Sequence, residues 1–195
     1  MENESQSTIK GTGVVAGVAY AEAVWVRPRP ELPTAGELID EEKRDGEYDR
    51  FLEAVDIVAS RLEQRAAGAE GQAAEVLGAT AGMVKDRGWH KAVRKSIRAG
   101  RPAEYATASA TEKFVTMFEA AGGVMAERTT DLKDVRDRVI AQLRGEQEPG
   151  LPMVTGEAVL LADDLAPADT ATLDTAHIKA LVTELGGPTS HTAII

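Results

Sequence analysis

The last ten residues of the sequence contain the side chains best suited to chemistry. They read GGPTSHTAII, residues 186–195, and they follow closely after a short apolar run. Two glycines at the end of a strand allow positive φ and a close approach of another group to the backbone. Thr189 or Ser190 is a good helix N-cap, and the apolar residues after them begin a helix. The pattern therefore predicts that His191 lies in the first turn of that helix.

The expected position of His191 suits chemistry at phosphorus. A helix N-terminus exposes unpaired N–H groups and a partial positive charge, which together form an anion site. The same field disfavours the imidazolium, so His191 is expected to be neutral, with one ring nitrogen free to attack an electrophile. Phosphorus is the electrophile that an anion site would hold beside it. The spacing alone leaves two interpretations open, a phosphohistidine and an ordinary capping or surface histidine.

Three short apolar runs predict the strands that would position this motif. Residues 19–26 are rich in β-branched and small side chains, and 157–162 and Ile178–Thr183 are nearly continuous apolar runs of the kind found in buried parallel strands. A short helix is expected at 167–173. The long region between the first and second strands shows a helical pattern. The order of elements therefore predicts an α/β unit into which a helical region is inserted.

The region 34–145 is predicted to be entirely helical. Thr34 and Glu37 have the spacing of a capping box and predict the start of a long helix. Gly88 and Gly100 are the expected breaks between shorter helices. The apolar stripe of the long helix consists of Tyr48, Phe51, Leu52, Val55, Val58 and Leu62. The other predicted helices are 71–85, 88–99, one opened by Pro102 and one ending at Gly145.

Composition and charge restrict the classes of partner. The chain has 195 residues with 32 acidic and 22 basic side chains, which gives a formal net charge of −10. This charge repels polyphosphates, so nucleic acid and anionic membranes are not expected as partners, and a basic protein surface fits better. The apolar share of 43% is enough to bury a core. A protein partner is therefore predicted.

The sequence also indicates where the chain works and which sites it lacks. It has no cysteine, which excludes disulfides, thiol nucleophiles and Cys-ligated metals. The opening MENESQSTIK has no apolar core of a signal peptide, and no stretch approaches the roughly 18 apolar residues of a membrane span. A cytoplasmic protein is expected. His90 and His177 have no second ligand at metal spacing, so both are predicted to be surface residues and no metal site is expected.

The run GGPTSHTAII resembles the phosphohistidine signature of the phosphoenolpyruvate-utilising enzymes, Gly-Gly-x-Thr-Ser-His followed by small and aliphatic residues. Three other segments resemble enzyme I of the sugar phosphotransferase system. GVVAG at 13–17 is similar to its opening segment, and DLKDV at 131–135 with Arg138 is similar to its last long helix. LAP at 165–167 with Thr170 resembles the segment before its active-site strand. The chain is thus identified as similar to the N-terminal part of enzyme I.

This resemblance implies a fold and a division of the chain. A helical bundle that binds the carrier protein HPr is inserted into a phosphohistidine α/β domain of the swivelling type. The implied parts are 1–30 and 148–195 for the α/β domain and 31–147 for the helical domain. The α/β domain is expected to be truncated at its C-terminal side. A monomer is expected for such a fragment, whereas the complete enzyme is expected to be a homodimer.

The resemblance also implies an activity and its residues. A phosphoryl group passes from phosphoenolpyruvate to His191 and then to a histidine of HPr, which feeds sugar uptake. The residues expected to support the phosphate are Thr189, Ser190, Thr170 and Gly187. The residues expected to contact HPr are Met83, Val84 and Asp86. Phosphoenolpyruvate and Mg²⁺ are expected to bind a C-terminal domain that this sequence lacks, so no cofactor is expected on this chain.

Two alternatives remain beside this interpretation. The chain could be an HPr-binding module without transfer activity, if the truncated α/β domain does not form its site. It could instead be the swivelling phosphohistidine domain of a pyruvate phosphate dikinase-like enzyme, which would have no affinity for HPr.

Overall fold

The structure of the chain is a computed structural model that describes residues 9–26, 29–152, 154–170 and 173–185. A single turn of 3-10 helix at Glu41–Lys43 leads into the first α-helix. The other described elements, in chain order, are β1 (Glu22–Trp25), α1 (Arg44–Gly68), α2 (Gly71–Val84), α3 (Arg87–Arg98), α4 (Ala103–Ala121), α5 (Gly123–Glu127), α6 (Thr129–Arg144), β2 (Ala158–Ala162), α7 (Pro167–Thr170) and β3 (Ile178–Thr183).

The described strands form one parallel sheet in the order β1-β2-β3. Leu160 in the central strand β2 lies opposite Val24 of β1 and Leu181 of β3. Parallel neighbours need a long crossover connection, and the connection from β1 to β2 contains α1 to α6. The prediction of a helical region between two strands of one sheet is therefore confirmed. Strand β3 has its predicted bounds, whereas β1 is shorter than the predicted 19–26.

The helical region is built around an apolar core in which α1 contributes the central stripe. Phe51, Val55, Val58 and Leu62 are all buried, as the 3.6-residue period predicted. Trp89 of α3 meets Phe51 edge-on, with ring centroids 5.5 Å apart. Burying each large apolar side chain stabilises the fold by about 1.5–3 kcal/mol. This core stabilises the helical region.

The predicted helix start at Thr34 is wrong. Residues 31–40 have no regular secondary structure, and α1 begins ten residues later, at Arg44. The segment is held against the end of α3 instead, because Ile39 N donates to Gly100 O at 2.8 Å and Arg101 Nη1 donates to Ala35 O at 3.3 Å. These tertiary hydrogen bonds thus satisfy Ile39 N–H and Ala35 C=O, two groups that a helix would have paired with each other.

The predicted break at Gly88 is also wrong, since this glycine lies inside the first turn of α3. The helix begins one residue earlier, at Arg87, because the carboxylate of Asp86 accepts the backbone N–H of Trp89 at 2.7 Å. Such an N-cap is worth about 1 kcal/mol, which offsets the low helix propensity of glycine. The short helix α5 was not predicted.

His90 was predicted to lie on the surface, but in the structure it is half-buried. Its ring lies edge-on to Phe51, with centroids 5.5 Å apart, and its Nε2–H donates to Val84 O at 2.8 Å. Val84 is the last residue of α2, so His90 satisfies a carbonyl that the helix leaves unpaired. This histidine therefore has a structural role in joining α2 and α3.

Candidate functional site

The predicted motif residues Gly187, Thr189, Ser190 and His191 lie outside the described residues, which end at Leu185. The chain leading to them is well placed by hydrogen bonds. Glu184 N donates to Ala162 O at 3.0 Å, and Leu185 N donates to Asp163 O at 2.8 Å. The pairing of β3 with β2 therefore continues to the last described residue, and the motif follows from the carboxyl end of β3.

This carboxyl end belongs to an edge of the sheet that suits ligand binding. In open parallel sheets, ligands bind beyond the carboxyl ends of the strands. Arg29 follows β1, and Asp163 and Asp164 follow β2 directly. Arg29 Nη2 lies 4.0 Å from Asp164 Oδ2, and Asp164 Oδ1 accepts the backbone N–H of Leu165 at 2.9 Å. Polar and charged groups thus line the edge from which the motif continues.

Thr170 is the predicted phosphate-supporting residue that lies within the described part of the chain. It is the last residue of α7, which follows β2 through the loop 163–166. Ala166 O accepts the backbone N–H of Thr170 at 3.0 Å and its hydroxyl at 3.4 Å. The residue is only 3% exposed. Its role toward phosphate stays a prediction.

A buried ion cluster around Arg138 holds α7 in place. Arg138 is 0% exposed, and each of its side-chain nitrogens donates to a carboxylate. Nε donates to Asp134 at 2.7 Å, Nη1 to Glu148 at 2.6 Å and Nη2 to Asp169 at 2.8 Å. Asp169 precedes Thr170 in α7, so the cluster joins α6 directly to the helix that carries this threonine.

Two arginines of α1 complete the cluster. Arg61 Nη1 and Arg65 Nη2 lie 3.7 and 3.6 Å from Glu148 Oε2. With them, three guanidinium groups compensate three carboxylates, which buried charges require. We call these six residues the Arg138 cluster: Arg61, Arg65, Asp134, Arg138, Glu148 and Asp169. It joins α1, α6, the connection after α6 and α7.

The surroundings of the cluster shift the protonation of its members. Burial, together with the nearby charge of Asp134, raises the pKa of Asp169 to about 6, although Arg138 opposes both effects. Burial lowers the pKa of Arg138, but the carboxylates around it outweigh burial and raise its pKa above the ordinary value. Gly150 has φ +122°, and a Cβ there would lie 2.7 Å from Asp169 Oδ1. Only glycine allows this close approach of the backbone to Asp169.

Asp137 is a second buried carboxylate on α6. Its Oδ1 accepts Arg136 Nε at 2.7 Å, while Oδ2 has no hydrogen-bond partner and lies 3.9 Å from Arg29 Nε. Burial raises the pKa of Asp137, and the two arginines oppose this shift. Because Arg29 also approaches Asp164, these charges join α6 to the carboxyl edge of the sheet.

Sequence reasoning did not assign the Arg138 cluster to the site. It named Arg138 only as part of a resemblance, although the i,i+4 spacing of Asp134 and Arg138 is a signal for an ion pair on one helix face. Glu148 and Asp169 carry no such signal, because they are 10 and 31 residues from Arg138 in sequence. The tertiary fold brings them together.

The predicted HPr contacts Met83, Val84 and Asp86 occupy three different environments. Val84 is 0% exposed in the helical core, so its prediction as a surface contact is wrong. It packs inward because it lies on the apolar face of α2 with Leu77 and Ala81. Met83 is half-buried, and Asp86 is exposed while it caps α3.

Within residues 9–26, 29–152, 154–170 and 173–185, no group of three or more His, Cys, Asp or Glu side chains is placed to hold a metal ion. His177 lies at the surface, where its Nδ1 pairs with Asp174 Oδ2 at 2.7 Å. None of the described helices is both long and apolar enough to cross a membrane.

Comparison with known families identifies the group to which the chain belongs. The family described as PEP-utilising enzyme, N-terminal, matches residues 10–128, which is more than half of the chain. The chain belongs to the PEP-utilising enzymes. A second family of this group, PEP-utilising enzyme, mobile domain, matches residues 154–195. That match includes β2, α7, β3 and the motif with His191.

The similar curated proteins of this family bear the name phosphoenolpyruvate-protein phosphotransferase. The protein from Streptomyces coelicolor is 40% identical over 196 residues, which cover 97% of this chain and 34% of the relative. The Bacillus subtilis and Haloferax volcanii proteins are each 34% identical, covering 96% and 97% of this chain and 33% and 34% of the relatives. The chain therefore spans about a third of the length of these relatives.

Solved structures of the PEP-utilising enzymes have the same fold. An NMR solution structure of Enzyme I is similar with a TM-score of 0.75 and 28% identity, covering 93% of this chain and 75% of that one. The N-terminal domain of a nitrogen-type Enzyme 1 has a TM-score of 0.61 at 23% identity, covering 93% and 76% of the two chains. The second comparison shows the fold alone. The predicted resemblance to the N-terminal part of enzyme I is confirmed.

Proposed function

We propose that this chain is the phosphoryl-carrying N-terminal part of a phosphoenolpyruvate-protein phosphotransferase, with His191 as the carrier. The observation that supports this most is the place of the motif. It continues from the carboxyl end of β3, and it falls within the segment that matches the mobile domain of PEP-utilising enzymes. Such folds bind their ligands beyond the carboxyl ends of the parallel strands, so a nucleophile at this edge would lie close to a bound ligand.

In the proposed reaction, a lone pair on the neutral His191 ring attacks the phosphorus of phosphoenolpyruvate. The bond from phosphorus to the enol oxygen breaks, and the enolate takes a proton from solvent to become pyruvate. A histidine nitrogen of HPr then attacks the same phosphorus, and the bond to His191 breaks. Backbone N–H groups near Gly187 and the hydroxyls of Thr170, Thr189 and Ser190 would hold the phosphate oxygens.

Phosphoenolpyruvate and Mg²⁺ belong, in this proposal, to the part of the relatives that this chain does not span. The chain itself supplies the carrier histidine, which the proposed division places in 148–195 together with 1–30. The helical domain, 31–147, would bind HPr, and the net charge of −10 favours such a basic partner.

The comparisons favour an enzyme I over a dikinase-like protein. The N-terminal family match covers most of the helical region, and the curated relatives align with nearly the whole chain. A dikinase-like swivelling domain would account for the second match but leave the inserted helices without a function. We therefore propose HPr as the partner. The expected location in the cytoplasm stays a prediction.

Intact mass spectrometry at neutral pH tests the proposal. The chain is mixed with phosphorylated HPr, and the parent is expected to gain one acid-labile phosphate. His191→Ala is expected to gain none while keeping its helical circular dichroism. His177→Ala is the matched control, because this histidine lies at the surface, paired with Asp174, and should not affect the gain. Phosphate retained by His191→Ala would contradict the proposal.

A titration with unphosphorylated HPr separates the alternatives. Binding without any gain of phosphate would mean that the chain is a docking module whose α/β part lacks a working site. Neither binding nor phosphate gain would favour a dikinase-like origin.

A further inference from the structure

We propose that Arg138 is a positioning residue for phosphoryl transfer, acting through Asp169 to hold α7 and thereby Thr170, the threonine to which the proposed function gives a contact with phosphate. This inference rests on the proposed function, because it gives a role in the reaction to a cluster that joins the helical region to α7. Arg138 does not contact the reacting atoms in this proposal. It sets the place of a residue that is expected to contact phosphate.

Helix α7 cannot hold its own position. It has four residues, and a helix this short does not form a stable structure by itself in water. It is held by packing against α2 and α6, where Ala168 is buried in the helical core. Its polar anchor is the hydrogen bond of 2.8 Å from Arg138 Nη2 to Asp169 Oδ1. The position of α7 is thus determined by its contacts with the helical region.

Three hydrogen bonds hold the guanidinium of Arg138 in a fixed orientation. Its guanidinium is planar and donates in fixed directions, and here it meets carboxylates from α6, from α7 and from the connection between them. With no exposure to solvent, these charged hydrogen bonds are not weakened by water. A displacement of Asp169 would leave buried charges without partners, which is strongly unfavourable.

The position of Asp169 determines that of Thr170, since the two are neighbours in one helical turn. Ala166 O accepts the backbone N–H groups of both, at 2.9 and 3.0 Å. Gly150 adds a backbone contact on the other side of Asp169, where no Cβ would fit. A misplacement of about 1 Å in a group that binds the reacting phosphate can slow a reaction on the order of 100-fold.

The test compares rates of phosphoryl transfer from phosphorylated HPr to the chain. As in the proposed reaction, the bond from phosphorus to the HPr nitrogen breaks and the bond to a His191 nitrogen forms. Arg138→Met is expected to slow the initial rate on the order of 100-fold. Arg138→Lys keeps the positive charge but loses the planar set of guanidinium donors. Its transfer rate is therefore expected to lie between those of the parent and Arg138→Met.

The matched control is Arg136→Met. Arg136 lies on the same helix, is also buried and pairs with a carboxylate, but its partner is Asp137 and not a residue of α7. Because Asp137 still approaches Arg29 through its other carboxylate oxygen, the loss of Arg136 should change the transfer rate by less than about threefold. Circular dichroism and amide exchange of α1 verify that the variants compared are folded.

Two further readouts separate positioning from general stability. The affinity for unphosphorylated HPr should be unchanged in Arg138→Met while the transfer rate falls. Asp169→Ala should also slow transfer, and the double variant with Arg138→Met should be no slower than the slower single variant, because each change removes the same contact between Arg138 and Asp169. If Arg138→Met does not fold, the transfer rates of Arg138→Lys and Asp169→Ala test the proposal instead.

Each outcome is decisive. Slow transfer by Arg138→Met with normal HPr binding and a normal Arg136→Met supports the positioning role. Transfer at the parent rate by folded Arg138→Met or Asp169→Ala overturns it and leaves the proposed function intact, as does an equal loss in Arg136→Met. A parent chain that takes no phosphate overturns both the proposed function and the role of Arg138 within it.

Discussion

The helical region and the sheet of this chain are stabilised in different ways. The helical region has a continuous apolar core to which α1, α2, α3, α4 and α6 contribute. The sheet consists of strands of four to six residues, and only the central strand alternates between buried and half-buried side chains. Trp25 of β1 is 65% exposed. The helical region therefore has a buried core of its own, whereas the described strands pack mainly against one another.

Charged contacts are prominent among those that join the two regions. Arg138 donates to Asp169 of α7, and Arg29 beyond β1 lies close to Asp137 of α6. Such contacts require a defined geometry, whereas apolar contacts tolerate repacking. The comparison indicates that the helical core supplies stability and that the ionic contacts determine where the α/β elements lie.

The largest expected effect on stability comes from the helical core. Phe51→Ala should lower the free energy of unfolding by about 3–5 kcal/mol, because it removes a fully buried ring that packs against Trp89 and His90. Urea denaturation followed by circular dichroism measures the loss. Glu53→Ala, on the exposed side of α1, should change it by less than about 0.5 kcal/mol. Equal effects of the two variants would contradict the assignment of the core.

The pH dependence of stability should report the ionic contacts. Since the pKa of Asp169 is raised to about 6, the folded chain holds a proton there that the unfolded chain releases near pH 4. This contribution is fully present below pH 4, and it is lost as pH rises to 6, at a cost of about 3 kcal/mol. Asp169→Asn should remove this decline, because the amide cannot ionise and still accepts a hydrogen bond from Arg138.

Denaturation at several pH values between 4 and 7 measures this effect as the difference between the parent and Asp169→Asn. The difference isolates Asp169 from the other titrating groups, among them Asp137, whose raised pKa acts in the same direction. Parallel curves for the two proteins would contradict the raised pKa of Asp169.

Local pattern predicted the helical region better than the contacts that join it to the sheet. The apolar stripe of α1 and the end of α6 at Gly145 follow from periodicity and from a left-handed glycine cap, so both were predictable. The start of α1 was not, because hydrogen bonds to distant residues hold 31–40 in place of a cap. The predicted start of α1 thus failed because contacts distant in sequence outweighed a local signal.

The candidate site shows the same limit. The motif around His191 is contiguous and could be recognised, and the family matches agree with it. The Arg138 cluster draws its residues from four segments, and no spacing links Asp169 or Glu148 to Arg138. Burial decides whether an acidic residue belongs to such a cluster or to the surface, and a single sequence does not show burial for isolated charged side chains.

A smaller effect is expected at the contact between Gly150 and Asp169. Gly150→Ala should cost about 1–3 kcal/mol, because φ is +122° and the new Cβ would lie 2.7 Å from Asp169 Oδ1. Gly156→Ala is the control, since nothing lies within 4 Å of its Cβ position. Amide exchange should show the loss first in β2 and α7. A loss of protection confined to the helical core would contradict a coupling between Gly150 and α7.

The smallest effect expected is at the cap of α3. Asp86→Ala should cost about 1 kcal/mol, because it removes the acceptor of the Trp89 N–H, whereas Asp86→Asn keeps an acceptor and should leave stability unchanged. Amide exchange should place this loss in α3 and not in the sheet.

The same pair of variants separates the cap from the proposed contact with HPr. Asp86→Asn removes the charge of an exposed side chain without removing the cap, so it should weaken binding of a basic HPr surface several-fold at unchanged stability. Titration calorimetry at low and high salt measures this, and added salt should reduce the difference between parent and variant. Equal affinities at low salt would remove Asp86 from the partner surface and leave it as a cap that stabilises the helical region alone.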